Sequence, residues 1–343
     1  MRSSLPRLTV ATTVALALAA GSLLTACSDG PAGSLPTVEP PTPAAAPPAT
    51  SPLPGSIRST GSGIDFLAVD ADSGIVAMLG ADRSTLLLTA HADPSAPIRS
   101  VPLGAAGAGL VAGRPGEVLV PAGDRVVRVS VADGATTDVP TGGNAVSAIW
   151  APDGTLAVGT SDGKVRLIDP ESGQSTEIGG LVSVDGLAVT GDSLVALDRR
   201  QSSVTEIDLG DHSLGLALRA GEGATTIDGD RLGRFVVADS TESELLAFTA
   251  DPLVLHQRFP VGSSPYAVAV DDRSGIVWLT STATNEVVGY DLSSGIPKET
   301  ARFATVRQPN SVAVDDSTGD LLVGSAAGEG LQTIPASSTQ GGR

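Results

Sequence analysis

Downstream of residue 60 the chain alternates short apolar runs with polar punctuation. Tyr266–Val270, Ile276–Thr280, Glu286–Asp291 and Thr300–Ala304 are rich in Val, Ile, Leu and aromatic residues, and Asp271–Gly275 and Ser293–Gly295 separate them. The same four-run layout occurs at Val146–Trp150, Thr155–Gly159, Lys164–Asp169 and Ser175–Ile178. Runs of this length bounded by Gly, Asp and Ser predict strands joined by hairpins. No sustained apolar period of 3.6 residues is present, so the pattern predicts almost no helix.

The runs repeat. Val69-Asp70-Ala71-Asp72-Ser73-Gly74 is echoed by Val270-Asp271-Asp272-Arg273-Ser274-Gly275 and by Val314-Asp315-Asp316-Ser317-Thr318-Gly319. Weaker copies at Trp150-Ala151-Pro152-Asp153-Gly154 and Ile227-Asp228-Gly229-Asp230, with turns near Ala112 and Thr190, complete a series spaced by 38 to 44 residues. Four strands recurring every forty residues or so predict an all-β propeller over residues 57–335. Seven blades of four antiparallel strands are expected, with six as the alternative. The last unit supplies only Ser311–Asp315, Asp320–Gly324 and Leu331–Ile334, so Ile57–Thr60 is expected to lend it a fourth strand and close the ring.

The blade-like segments resemble the YVTN and NHL-like propeller families. Pro265-Tyr266-Ala267-Val268-Ala269-Val270, Asn285-Glu286-Val287-Val288-Gly289-Tyr290-Asp291 and Pro309-Asn310-Ser311-Val312-Ala313-Val314-Asp315 carry that resemblance. Ala151-Pro152-Asp153-Gly154 with Asp162-Gly163-Lys164-Val165 is equally WD40-like. Such repeats imply an architecture and leave function open.

The N-terminus has a different character. Arg2 and Arg7 precede an apolar stretch, Leu8–Ala20, that is too short for a membrane span of about 20 residues. It leads into Leu23-Leu24-Thr25-Ala26-Cys27, which resembles the lipobox of bacterial lipoproteins. That resemblance implies cleavage after residue 26, a diacylglycerol and fatty acid on Cys27, and an extracytoplasmic position anchored by lipid. Cys27 is the only cysteine, so no intramolecular disulfide is available. Residues 27–56 are rich in Pro, Ala and Thr and read as a disordered, extended tether. Residues 336–343 read as a disordered tail.

Composition narrows the partners. Apolar residues make up 41% and aromatics 3%, so the core is one of Val, Leu, Ala and Ile. The net charge is −17, and −19 once Arg2 and Arg7 leave with the signal peptide. Such a surface repels phosphate backbones, which argues against a nucleic-acid partner. Arg outnumbering Lys, with heavy Ala and Gly, fits a GC-rich, actinobacterial host.

Catalytic signals are sparse. Gly159-Thr160-Ser161-Asp162-Gly163 has the spelling of a nucleophile elbow, but a strand follows where that motif needs a helix. His91, His212 and His256 fall in different units without ligand spacing. The Asp-rich turns suit turn chemistry better than a calcium loop. Propellers bind at one mouth of the channel, formed by the loops entering the inner strands and those joining second to third strands. Those loops carry Asp65, Asn144, Asp185, Tyr266 and Asn310, and Arg199, Arg200, Asp239 and Asn285. The expectation is a monomeric, membrane-anchored scaffold that binds an envelope protein or polymer without catalysis. The alternatives are a metal-dependent lactonase-type hydrolase and a small-ligand or sugar sensor. No cofactor is expected, and a Ca²⁺ or other divalent ion in the channel is the open alternative.

Overall fold

The computed structural model describes residues 36–339. Among them the one helix is a single turn, Ala336–Thr339, at the start of the expected tail. Among the described residues no helix is long and apolar enough to cross a membrane.

The strands gather into antiparallel sheets arranged as a propeller. The first sheet holds Ile64–Asp70, Ile75–Gly80, Thr85–Ala90 and Arg99–Pro102. Later four-stranded sheets begin at Gly186, Ala224 and Pro265. The last comprises Pro309–Asp315, Asp320–Ser325, Leu331–Ile334 and, on its outer edge, Ser56–Arg58. Ser56 pairs with Thr333 and Arg58 with Leu331, so the start of the domain completes its final sheet, as the strand count requires.

Counted as hydrogen-bonded sheets, the propeller has six blades, the alternative count, and not the seven expected. The physical reason lies in the units anchored near residues 112 and 150, which share one six-stranded sheet. Two of its strands, Glu117–Ser130 and Thr136–Trp150, run through both units. The first folds back at Gly123, whose φ is 65°, so that the Val131 N–H donates to the Gly116 carbonyl at 3.0 Å. The second bends near Gly142, φ 66°, and pairs first with Arg125–Val129 and then with Leu156–Thr160. The two repeats therefore persist inside one continuous sheet. Seven inner strands, beginning at Ile64, Val111, the second half of Thr136–Trp150, Gly186, Ala224, Pro265 and Pro309, contact one another in turn around the channel.

The core lies between neighbouring sheets. Val236, Ala238, Leu245 and Ala247 pack against Val268, Val270, Val277 and Leu279, all small or branched aliphatics. Each larger aliphatic buried this way contributes roughly 1.5–3 kcal/mol. Aromatics fill only a few gaps, Phe235 and Phe248 among them.

The Asp-rich turns serve both their own hairpins and the sheet junctions. Asp70 accepts from the Ser73 N–H and hydroxyl, and its other oxygen accepts the Gly116 N–H of the next unit at 2.9 Å. Asp272 accepts the Arg231 N–H and Asp316 accepts the Asp272 N–H in the same manner. The first and last units carry a further tie. His91 Nε2 lies 2.7 Å from Asp315 Oδ2, with both side chains 1% exposed. Burial acts to raise the Asp315 pKa, but hydrogen bonds from Ser317 and His91 outweigh it and leave the carboxyl below its usual range.

The main departure from expectation is the segment read as a disordered tether. Residues 37–55 run along the propeller rim instead, and Ala46 is 5% exposed. Leu53 packs against the core between the last two sheets. Cys27 and the signal segment lie outside the described residues.

Candidate functional site

Each inner strand begins at one mouth of the channel and ends in a hairpin at the other. This places the inner-strand entry loops and the second-to-third-strand loops together at the first mouth. A cavity of about 440 Å³ opens there. Its wall mixes apolar side chains, among them Leu67, Leu110, Leu187, Val268 and Val312, with polar and charged ones. Five of the nine expected contact residues line it: Asp65, Asp185, Arg199, Tyr266 and Asn310.

The carboxylates and guanidinium groups on that wall are engaged. Asp65 pairs with Arg83 at 2.8 Å, and the Arg83 guanidinium also lies over the Phe66 ring. Asp185 accepts the Ser183 hydroxyl at 2.5 Å and the Arg199 N–H at 2.8 Å. Arg199 Nη2 donates to the Pro41 carbonyl at 2.7 Å, and its buried Nε has no partner. The hydroxyls of Thr225 and Thr226 donate to the Tyr266 carbonyl and tie two inner strands together. Arg83 and these threonines escaped the sequence reading; only the repeat register of the loop after Ile75–Gly80 could have pointed to Arg83.

The other four expected residues lie off the channel wall. Asn144 is exposed and donates to Ser161 Oγ. Arg200 is exposed, and its carbonyl accepts the Val38 N–H at 2.7 Å. Asp239 is fully buried and accepts the Glu222, Thr241 and Glu242 N–H groups, which makes it a turn-forming residue. Asn285 is 4% exposed with φ 52° and donates from Nδ2 to the Pro47 carbonyl at 2.8 Å.

Two carboxylates, both engaged, line the cavity, and no histidine does. Among the described residues one acidic trio, Asp239, Glu242 and Glu244, brings its oxygens within 4.8 Å of one another. Arg258 occupies that trio, with contacts of 2.5 Å to Glu242 and to Glu244. The nucleophile-elbow spelling is a hairpin: strands Leu156–Thr160 and Lys164–Ile168 flank it, and Thr160 Oγ1 donates to Asp162. At the opposite mouth, burial pushes the Asp228 carboxyl up to about 7, and repulsion from Asp272 and Asp316 adds to the rise.

No family model matches the chain, and no curated protein matches it in sequence. Solved structures do match in fold. A hydrazine synthase chain from Kuenenia stuttgartiensis superposes with a TM-score of 0.70 at 12% identity, covering 82% of this chain and 98% of that one. Virginiamycin B lyase from Staphylococcus aureus gives 0.66 at 12% identity, covering 81% and 97%. A catalytically inactive form of that lyase, carrying alanine in place of one histidine and solved with quinupristin, gives 0.67 at 12% identity, covering 83% and 99%. At this identity the likeness defines the class: an all-β propeller.

Proposed function

We propose that this chain is a lipid-anchored envelope protein whose propeller binds a partner or ligand at the channel mouth without transforming it. One observation carries the binding part. The channel mouth is a formed cavity that mixes apolar and polar wall, and its two carboxylates, Asp65 and Asp185, are each held by a protein partner. Two of the propeller neighbours are enzymes, and one is inactivated by the loss of a single histidine. Here His91 is sealed in the junction between first and last sheets, and His212 and His256 are exposed on the outer side of their units. That weighs against a lyase or metal-assisted hydrolase using histidine in this channel. The anchor rests on the Leu23–Cys27 lipobox alone.

Crosslinking in living cells, followed by purification of the chain and mass spectrometry, tests this reading. A stoichiometric envelope partner that is lost with Arg199→Ala and Tyr266→Ala is the expected result. A chain that captures no partner but turns over a small molecule would overturn it. Saturable binding of a small molecule alone would favour the sensor reading, for which a cavity of this volume is large enough.

A further inference from the structure

The contacts of residues 38–54 form a pattern beyond simple packing. Moving along this segment, the chain passes from the Arg199–Arg200 loop to the two units that hold Ser264, Asn285, Arg307 and Gln332. The Val38 N–H donates to the Arg200 carbonyl, and Pro41 accepts from Arg199. The Ala44 N–H donates to Ser264 Oγ at 3.3 Å. The Ala46 and Pro47 carbonyls accept from Arg307 at 3.3 Å and Asn285 at 2.8 Å. The Pro54 carbonyl accepts from the fully buried Gln332 at 2.9 Å.

Gln308 is the centre of this track. Its Nε2 donates to the Ala44 carbonyl at 2.9 Å, and its Oε1 accepts the Ala46 N–H at 3.0 Å. One amide thus grips the chain on both sides of Ala45. Gln308 holds φ 58°, a conformation uncommon for a residue with a side chain, and its own N–H donates to Asn285 Oδ1 at 3.0 Å. The Gln308 backbone thus sets the Asn285 side chain, and Asn310 Oδ1 accepts from Gln308 Nε2 at 3.1 Å, before either amide meets the segment.

This arrangement answers the chemistry of an extended proline-rich chain. Such a chain makes no internal backbone hydrogen bonds, so its carbonyls are all available. Proline adds carbonyls without N–H groups, so a matching surface needs many donors and few acceptors. The rim offers five side chains as donors to carbonyls, from Arg199, Asn285, Arg307, Gln308 and Gln332. It receives an N–H at Val38, Ala44 and Ala46.

We propose that the propeller rim from Arg199 to Gln332 is a binding track for extended proline-rich peptides, occupied in this structure by the chain's own residues 38–54. The proposal rests on reading the propeller as a binding scaffold and gives that scaffold a ligand class. The docked segment is joined to the domain, so it competes at an effective concentration on the order of millimolar. A proline-rich segment of another envelope protein binds by taking its place.

The test uses the full chain with residues 38–49 replaced by alternating Gly and Ser, and a fluorescent synthetic peptide of residues 36–50 as probe. Fluorescence anisotropy is expected to show saturable binding to the replaced chain and at least tenfold weaker binding to the unaltered one. Adding Asn285→Asp and Gln308→Glu, which remove two donors and keep side-chain shape, is expected to weaken binding at least tenfold. No binding to a replaced chain that still melts cooperatively overturns the proposal, as does binding indifferent to the two donor changes. Hydrogen exchange on the unaltered chain gives an independent reading. Protection of the Val38, Ala44 and Ala46 amides by tenfold or more over free peptide is expected, and free-peptide exchange there overturns it. A partner captured in cells despite failure of the peptide assay would overturn this inference and leave the scaffold reading standing.

Discussion

The tie between His91 and Asp315 joins groups 224 residues apart and spans the one junction of the ring that chain connectivity does not close. Other interactions also hold that junction, among them the three-residue pairing of Ser56–Arg58 with Leu331–Thr333, the donation from Arg58 to the Asp93 carbonyl, the contact between inner strands Ile64–Asp70 and Pro309–Asp315, and the apolar cluster of Ile64, Val76 and Met78 with Leu322 and Leu331. His91→Ala leaves Asp315 facing a cavity with only Ser317 to satisfy its carboxylate. Breaking a buried pair of this kind by removing one partner costs roughly 3–5 kcal/mol. For a chain of this size that corresponds to a fall in Tm on the order of 5–10 °C. A double-mutant cycle with Asp315→Asn isolates the pair, and a hydrogen bond to a charged group predicts a coupling of about 1.5–3 kcal/mol at pH 7. The pH dependence has a definite sign. Asp315 is held below its usual pKa in the folded chain, so its stabilisation is fully present above the unfolded value near 3.8 and fades as pH falls through the lower folded value. The coupling is therefore expected to persist at pH 5.5 and to shrink at pH 3. Chemical denaturation of the four chains at these pH values checks it. A coupling below about 0.5 kcal/mol at pH 7 would refute the claim that this pair latches the ring.

Asp228→Asn tests the opposite sign. The Asp228 pKa is raised to about 7, so its folded form holds a proton that the unfolded form releases, and stability drops as pH climbs from about 4 to 7. The asparagine variant should gain Tm over the unaltered chain at pH 8, lose about half of that gain at pH 5.5 and most of it near pH 4; equal gains at pH 8 and pH 4 would disprove the burial argument. Gln332→Leu strands the Val306 N–H that Gln332 accepts and the Pro54 and Ala304 carbonyls to which it donates. A loss of roughly 2–4 kcal/mol is expected in urea titration, and a neutral result would show that water replaces the amide. Gly163→Ala meets the Leu181 carbonyl oxygen at 1.9 Å from a backbone at φ 79°, so the variant should fold poorly, while Ser161→Ala should match the unaltered chain in melting and in partner capture. Cys27→Ala should move the protein from the membrane to the soluble fraction; unchanged processing and membrane association would refute the lipobox reading.

The strands were legible because each repeats a short-range pattern that local chemistry dictates. The apolar run Tyr266–Val270, its Asp-Ser-Gly turn and its partner run lie within twenty residues of one another, and the observed strands Pro265–Asp271 and Ile276–Ser281 extend those runs by a residue or two. The sheet count was not legible. Whether neighbouring units remain separate depends on how tightly the chain turns at Gly123 and Gly142, and a glycine in sequence does not say whether strand pairing stops or continues through it. His91 gave no signal, because its partner lies in the last unit and neither residue belongs to a local motif.

The mouth shows how topology and chemistry divide the work. Loop position alone selected the nine candidate residues, and Asp65, Asp185, Arg199, Tyr266 and Asn310 stand on the cavity wall. Asn144 and Arg200 stand off that wall, as do Asp239 and Asn285, whose loops need an Asp to bind turn amides and an Asn that tolerates φ 52°. The same ambiguity hid the docked segment. Composition identified residues 27–56 as unable to build a core, and over 37–55 few side chains are buried. The inference to a free tether assumed that burial of apolar surface is the only way to hold a chain. Here the holding is done by side-chain amides and guanidinium groups on backbone carbonyls. The feature that makes a proline-rich segment a poor folder, a backbone with no bonds to itself, is what leaves it able to bind the rim.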